Sequence, residues 1–162
     1  MNLLFIFLAY CWTTDMAHVR KQIRDNVVTT VTGLTTTSTR VYRSRVYPIA
    51  SGKLPGLCVY TRSETVESGT MTRPRTKMRT LDVVIEGYAL ANTNLDDTLD
   101  QISLEVEEAM VTDVTRGGKA KDTELVDVEI EQVGEGETQA GIVRMTFSVM
   151  YATVENDAET PV

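Results

Sequence analysis

RTKMRTLDVVIEGYAL, residues 75–90, is the stretch on which the fold turns. Side chains alternate along an extended chain, so Leu81, Val83 and Ile85 fall on one face while Asp82, Val84 and Glu86 fall on the other. Its length predicts a central strand. Immediately downstream, Asn92, Thr93 and Asn94 offer N-cap oxygens, and Asp96 and Asp97 stand where a helix dipole favours acids. Leu95, Leu99, Ile102, Val106 and Ala109 or Met110 then follow the 4-3-4-3 spacing of a core-facing helix.

Working outward, the C-terminal side reads as a hairpin. Val126, Val128 and Ile130 alternate with Asp127, Glu129 and Glu131; a Gly-rich turn spans Gly134 to Gly141; Val143, Met145, Phe147, Val149 and Tyr151 alternate with Arg144, Thr146, Ser148 and Met150. In both strands the apolar set is expected to face the core and the other set water. On the N-terminal side, Val19, Ile23, Val27 and Val31 recur every four positions from Ala17, predicting a helix that stops near Gly33. RVYRSRVYPI, residues 40–49, predicts a short edge strand ended by Pro48. Leu54 to Tyr60 predicts a second strand, and the polar run TRSETVESGT after it predicts a hairpin tip. The order α-β-β-β-α-β-β predicts an α+β, two-layer domain over residues 16–154. A mainly antiparallel sheet of about five strands is covered by two helices. ENDAETPV, residues 155–162, carries no pattern and is expected to be a flexible tail.

Composition fits one domain. The chain has 162 residues, 42% apolar but only 6% aromatic, so the core must be built from Val, Leu, Ile and Met. The net charge of −7 conceals a division. Residues 1–80 hold twelve Lys or Arg against four acids, a net +8; residues 81–162 hold four against nineteen, a net −15. Opposite-signed halves can put complementary charge on two sides of one subunit and attract a copy of it head to tail, although scattered solvated charge has the same composition.

Motifs for chemistry are weak. Cys11 and Cys58 have neither metal-ligand nor CxxC spacing, and no disulfide framework follows from them. His18 stands at a helix start, where a capping or surface role outweighs catalysis. Asp97, Asp100, Glu107 and Glu108 lie opposite the apolar stripe, and with no His or calcium-loop spacing they read as a solvated acidic face rather than metal ligands or catalytic carboxylates. Arg116-Gly117-Gly118-Lys119 lacks phosphate-loop spacing and reads as a loop. The chain offers no nucleophile–base pair and no interleaving of basic and aromatic residues typical of a nucleic-acid module. No enzyme, cofactor or metal is expected.

MNLLFIFLAYCWTTD, residues 1–15, is apolar from Leu3 to Trp12, too short for a spanning helix and without the basic start or small-residue cleavage site of a signal peptide. Since Met16 opens the first helix, an upstream extension absent from the mature protein is the preferred reading, with a signal peptide or an interface segment as alternatives.

LPGLCVYTRSETVES (residues 54–68), RTLDVVIEGYALAN (79–92), LDDTLDQISLEVEEAM (95–110) and GIVRMTFSVMYAT (141–153), in that order, resemble the tail terminator proteins of long-tailed phages, the family of lambda's minor tail protein U. The resemblance spans about Met16 to Glu155 and is one of pattern and order; the N-terminal extension and the long basic hairpin depart from it. It implies a virion structural protein, assembled in the host cytoplasm, that forms a ring, hexameric in the family, on the end of the tail tube. Such a ring ends tube polymerisation and offers a surface to the head. The implied partners are further copies of the chain, the major tail tube protein and a head-completion or neck protein, with DNA passing through unrecognised and no membrane involved. On this reading Arg73, Arg75, Lys77 and Arg79 are candidates for a tail-tube or neighbouring-subunit contact. Asp97, Asp100, Glu107 and Glu108 are candidates for an acidic lumen or subunit face. A neighbouring head–tail connector is the nearest alternative, and a secreted ligand-binding domain, suggested only by the apolar N-terminus, is the alternative of another class.

Overall fold

A computed structural model describes residues 17–44, 49–91, 93–133 and 139–162. The apolar segment 1–15 lies outside them, as does most of the Gly-rich turn after residue 133. Two helices, α1 (Val19–Thr30) and α2 (Leu95–Val111), pack on one face of a six-stranded sheet. Its strands are β1 (Val41–Arg43), β2 (Gly56–Ser68), β3 (Thr76–Ala91), β4 (Asp122–Val133), β5 (Gln139–Val154) and β6 (Asp157–Pro161). Their spatial order is β1-β2-β3-β5-β4, with β6 also on β5. Among the described residues only β1–β2 is parallel. The α+β class and the single helical layer are as the sequence predicts.

The stretch at residues 75–90 does form the centre. β3 pairs with β2 on one side and with β5 along its whole length on the other, from Thr76 opposite Val154 to Ala91 opposite Gln139. Leu81, Val83 and Ile85 join Val143, Met145, Val149 and Tyr151 in the core beneath α1 and α2. Val19, Ile23 and Val27 from α1 and Leu95, Leu99, Ile102, Val106 and Met110 from α2 close it from above. Helix α2 lies close against the sheet because two strand positions have no side chain. A Cβ at Gly87 would stand 2.7 Å from Ile102 Cγ2, and one at Gly141 would stand 2.8 Å from Leu99 Cδ1.

Five local expectations are corrected. The polar run after Tyr60 is not a hairpin tip: Thr61–Ser68 continues β2, paired with β3 down to Ser68 opposite Lys77 after a bulge between Thr61 and Glu64. Cross-strand pairing overrides the low strand propensity of its residues. Residues 155–162 are not a frayed tail. Asp157 accepts from the N–H groups of Glu159 and Thr160, setting a turn, and β6 returns along β5 beside the end of β4, with Gln22 of α1 donating to the Glu159 carbonyl at 2.8 Å. Asn94 adopts a left-handed conformation (φ 57°) and makes no side-chain cap to α2, leaving Asp96 and Asp97 to meet the helix dipole. Three apolar residues of β4 do not reach the core, although Leu125 packs against it: Val126, Val128 and Ile130 are 54%, 42% and 52% exposed. β4 is the sheet margin, and α2 packs chiefly over β3 and β5, so alternation there selects a face but not a cover. The face opposite the helices is also not simply wet, since Cys58, Val84, Glu86 and Thr146 are buried on it.

Candidate assembly surfaces

The burial of Glu86 follows from register. Cys58, Glu86, Arg144 and Glu129 stand directly opposite one another across β2, β3, β5 and β4. In such a row neighbouring side chains touch, and opposite charges attract. Arg144 Nε donates to Glu86 Oε1 at 2.8 Å, and its Nη1 reaches Glu129 at 2.6 Å and Glu131 at 3.6 Å. Tyr60 and Tyr88 add hydroxyl donors to the same carboxylate at 2.9 and 2.6 Å. Burial pushes the Glu86 carboxyl up, but the hydrogen bonds from Tyr88, Arg144 and Tyr60 outweigh it and hold its pKa below the ordinary value. Arg144 is correspondingly raised above the usual arginine range, first by its bonds to Glu86 and Glu129. This network laces four strands together.

A second cluster sits on the helix side. Glu64 accepts from Arg20 of α1 at 3.2 Å, from Arg79 at 3.1 Å and from the Tyr151 hydroxyl. Arg79 also donates to Thr153 at 3.0 Å. Burial and the neighbouring Glu64 both push the Tyr151 phenol up. His18 caps α1, its Nδ1 accepting from the Arg20 N–H at 3.1 Å. Burial and the adjacent Arg20 lower its pKa.

The four basic candidates therefore part company. Arg79 is only 16% exposed and is tied to Glu64 within the chain. Lys77 bonds Ser68 across the β2–β3 ladder at 3.1 Å. Arg75 lies half-buried near the turn, its backbone N–H bonded to Glu155. Arg73 is exposed on the hairpin tip, two residues after Met71, which is 93% exposed. The acidic candidates Asp97, Asp100, Glu107 and Glu108 are all exposed on the outer side of α2. Glu105, not singled out in the sequence, is the α2 acid that holds the fold: it accepts from the Thr36 N–H and hydroxyl at 3.0 and 2.8 Å, pinning the Thr-rich turn after α1. The loop Arg116–Lys119 turns through left-handed Arg116, Gly117 and Gly118. The Arg116 guanidinium is buried against the Met110 carbonyl, closing the C-terminal end of α2, and bonds Thr123 at 3.0 Å.

The division of charge along the chain becomes a division in space. Arg43, Lys53 and Arg62 are exposed at the β1–β2 side of the sheet, and Arg20 and Lys21 stand on α1 above it. Asp122, Glu124, Asp127, Glu129 and Glu131 line β4 at the opposite margin, next to the acidic side of α2. Among the described residues no group of three or more His, Cys, Asp or Glu is placed to hold a metal ion, and no helix is long and apolar enough to cross a membrane.

No family model and no curated protein matches the chain. Among solved structures it is similar to a chain of the virion of a native gene transfer agent particle, at 18% identity and a TM-score of 0.43, over 83% of this chain and 93% of that one.

Proposed function

We propose that the chain is a structural virion protein of the tail terminator kind: a subunit that closes into a ring with copies of itself, seats on the end of a tail tube and offers its other side to a head-completion or neck protein. The observation that carries this reading is the placing of opposite charge at opposite margins of one sheet. A ring requires heterologous contacts, one side of each subunit meeting the other side of the next, and complementary margins supply their attraction and register. The resemblance of the motif order to that of tail terminators supports the role, and a six-fold ring is the number that resemblance implies. In this reading Arg73 and Arg75 on the β2–β3 hairpin tip engage the tube, and the α2 acids Asp97, Asp100, Glu107 and Glu108 face the DNA channel, where negative walls let phosphates slide.

Native mass spectrometry of the purified chain, with and without purified tail tubes, tests it. A hexamer, or a monomer that becomes a ring only on tubes, is expected; a monomer that ignores tubes overturns it. Rings that bind head-side neck proteins but not tubes would transfer the role to an adjacent connector.

A further inference from the structure

We propose that the outer edge of β4 is the seam at which a second copy of this chain docks, with the distal half of that copy's β2 laid alongside it so that one sheet continues into the next. The inference rests on the oligomeric reading above and adds which elements meet. β4 pairs with β5 on one side, and among the described residues no strand accompanies it on the other. Such an edge turns a row of N–H and C=O groups outward, ready to pair with another chain. A bulge interrupts the ladder between Leu125 and Asp127, so the regular part of the edge runs from Asp127 to Val133. Along it there is no proline, and no charge on the helix side, where Val128 and Ile130 lie opposite Met145 and Val143 yet remain half exposed. The acids Asp127, Glu129 and Glu131 occupy the other face.

The occupant follows from the far margin of the same sheet. β1 covers β2 only at Leu57–Val59, leaving Thr61–Ser68 without a strand on that side among the described residues. Val66, 45% exposed, lies opposite Arg79 and so points to the helix side, the side on which Val128 and Ile130 wait. Arg62, exposed at the bulge, brings positive charge to meet the acids of β4, where Arg144 already shares Glu129 and Glu131; on the β2 side Glu64 is engaged by Arg20 and Arg79, and Arg43 by Asp25 at 3.4 Å, leaving Glu67 as the exposed acid of this stretch. Two β4 edges would set acid against acid, so the pairing is β4 with β2, which is head to tail.

The test uses the full chain with Cys11→Ser throughout; Cys58 is buried. In V128K/I130K, two charges enter the seam while the monomer changes only at half-exposed positions. Oligomer by native mass spectrometry should fall at least about tenfold, since seating one uncompensated charge costs more than the 1.4 kcal/mol that tenfold represents, with an unchanged circular dichroism spectrum. As a second arm, subunits carrying Ile130→Cys are mixed with subunits carrying Val66→Cys and oxidised. A covalent dimer is expected from the mixture and from neither alone. Undiminished oligomer in V128K/I130K with no mixed crosslink overturns the seam and leaves the ring reading standing. Crosslinking of Ile130→Cys with itself overturns the head-to-tail pairing. A wild-type chain that stays monomeric with and without tubes removes both.

Discussion

Replacing Glu86 with glutamine is the sharpest probe of what holds the sheet together. The carboxylate is fully buried and accepts from Tyr60, Tyr88 and Arg144, and the glutamine keeps its shape while removing the charge. Hydrogen bonds to charged groups are each worth about 1.5–3 kcal/mol net. Breaking a buried ion pair outright costs about 3–5 kcal/mol. Arg144 retains Glu129 and Glu131, both half exposed, so it is not stranded and the lower range applies. The expected loss is about 2 kcal/mol, or roughly 4–8 °C in Tm for a chain of this size. The pH dependence gives a second signature. Because the folded pKa of Glu86 is depressed, its contribution is complete above the unfolded value near 4.5 and is lost as pH falls through the lower folded value. The gap between wild type and Glu86→Gln in urea unfolding, at one fixed protein concentration, should be constant from pH 7 to about 5 and shrink below that. A variant within about 0.5 kcal/mol of wild type at pH 7, the ordinary range for surface substitutions, would refute the reasoning, as would a gap that persists undiminished into strong acid.

Gly87→Ala should cost about 1–3 kcal/mol by thermal unfolding, because the new methyl meets Ile102 Cγ2 and Val143 Cγ1 inside 3 Å and α2 must lift to make room. Removing residues 156–162 should lower Tm by several degrees, whereas loss of a frayed tail would leave it unchanged; the β6 pairing, the Gln22 contact and the turn set by Asp157 all go with it. Arg73→Glu should leave the melting curve alone, since the residue is exposed on the hairpin tip, and should weaken tube co-sedimentation more at low than at high salt. Arg79→Glu should instead destabilise the monomer, by setting a second carboxylate against Glu64.

Periodicity carried most of the fold. The central strand, both helices and the apolar face of β5 were legible because each buries a repeating set of Val, Leu, Ile and Met. Periodicity says which side chains share a face but not whether anything covers them, and that is why Val128 and Ile130 were expected in the core although β4 ends the sheet. β6 was illegible for another reason: a five-residue strand held by Asp157 and by α1 has too few apolar positions to show a period. Of the basic cluster, composition could not separate Arg73 on the tip from Arg79, which is claimed by Glu64 fifteen positions away in sequence. The buried network left one readable trace. Glu86 and Arg144 are single charges set between apolar neighbours in long strands, which only partners across the ladder make tolerable.

The central ladder also constrains how the chain reaches this state. β2 with β3 and β4 with β5 are neighbours in sequence, so each pair can close over a short connection within microseconds. The ladder between β3 and β5 joins Thr76 to Val154 and Ala91 to Gln139, with α2 and β4 lying between them in the chain. It can form only when two preformed halves meet, after the entropy of that larger closure has been overcome. The rate-limiting encounter in refolding should therefore be the docking of one hairpin on the other, with Glu86 and Arg144 arriving from opposite halves. Until they meet, each half exposes a long unpaired edge, and dilution during refolding should decide between the native sheet and aggregation.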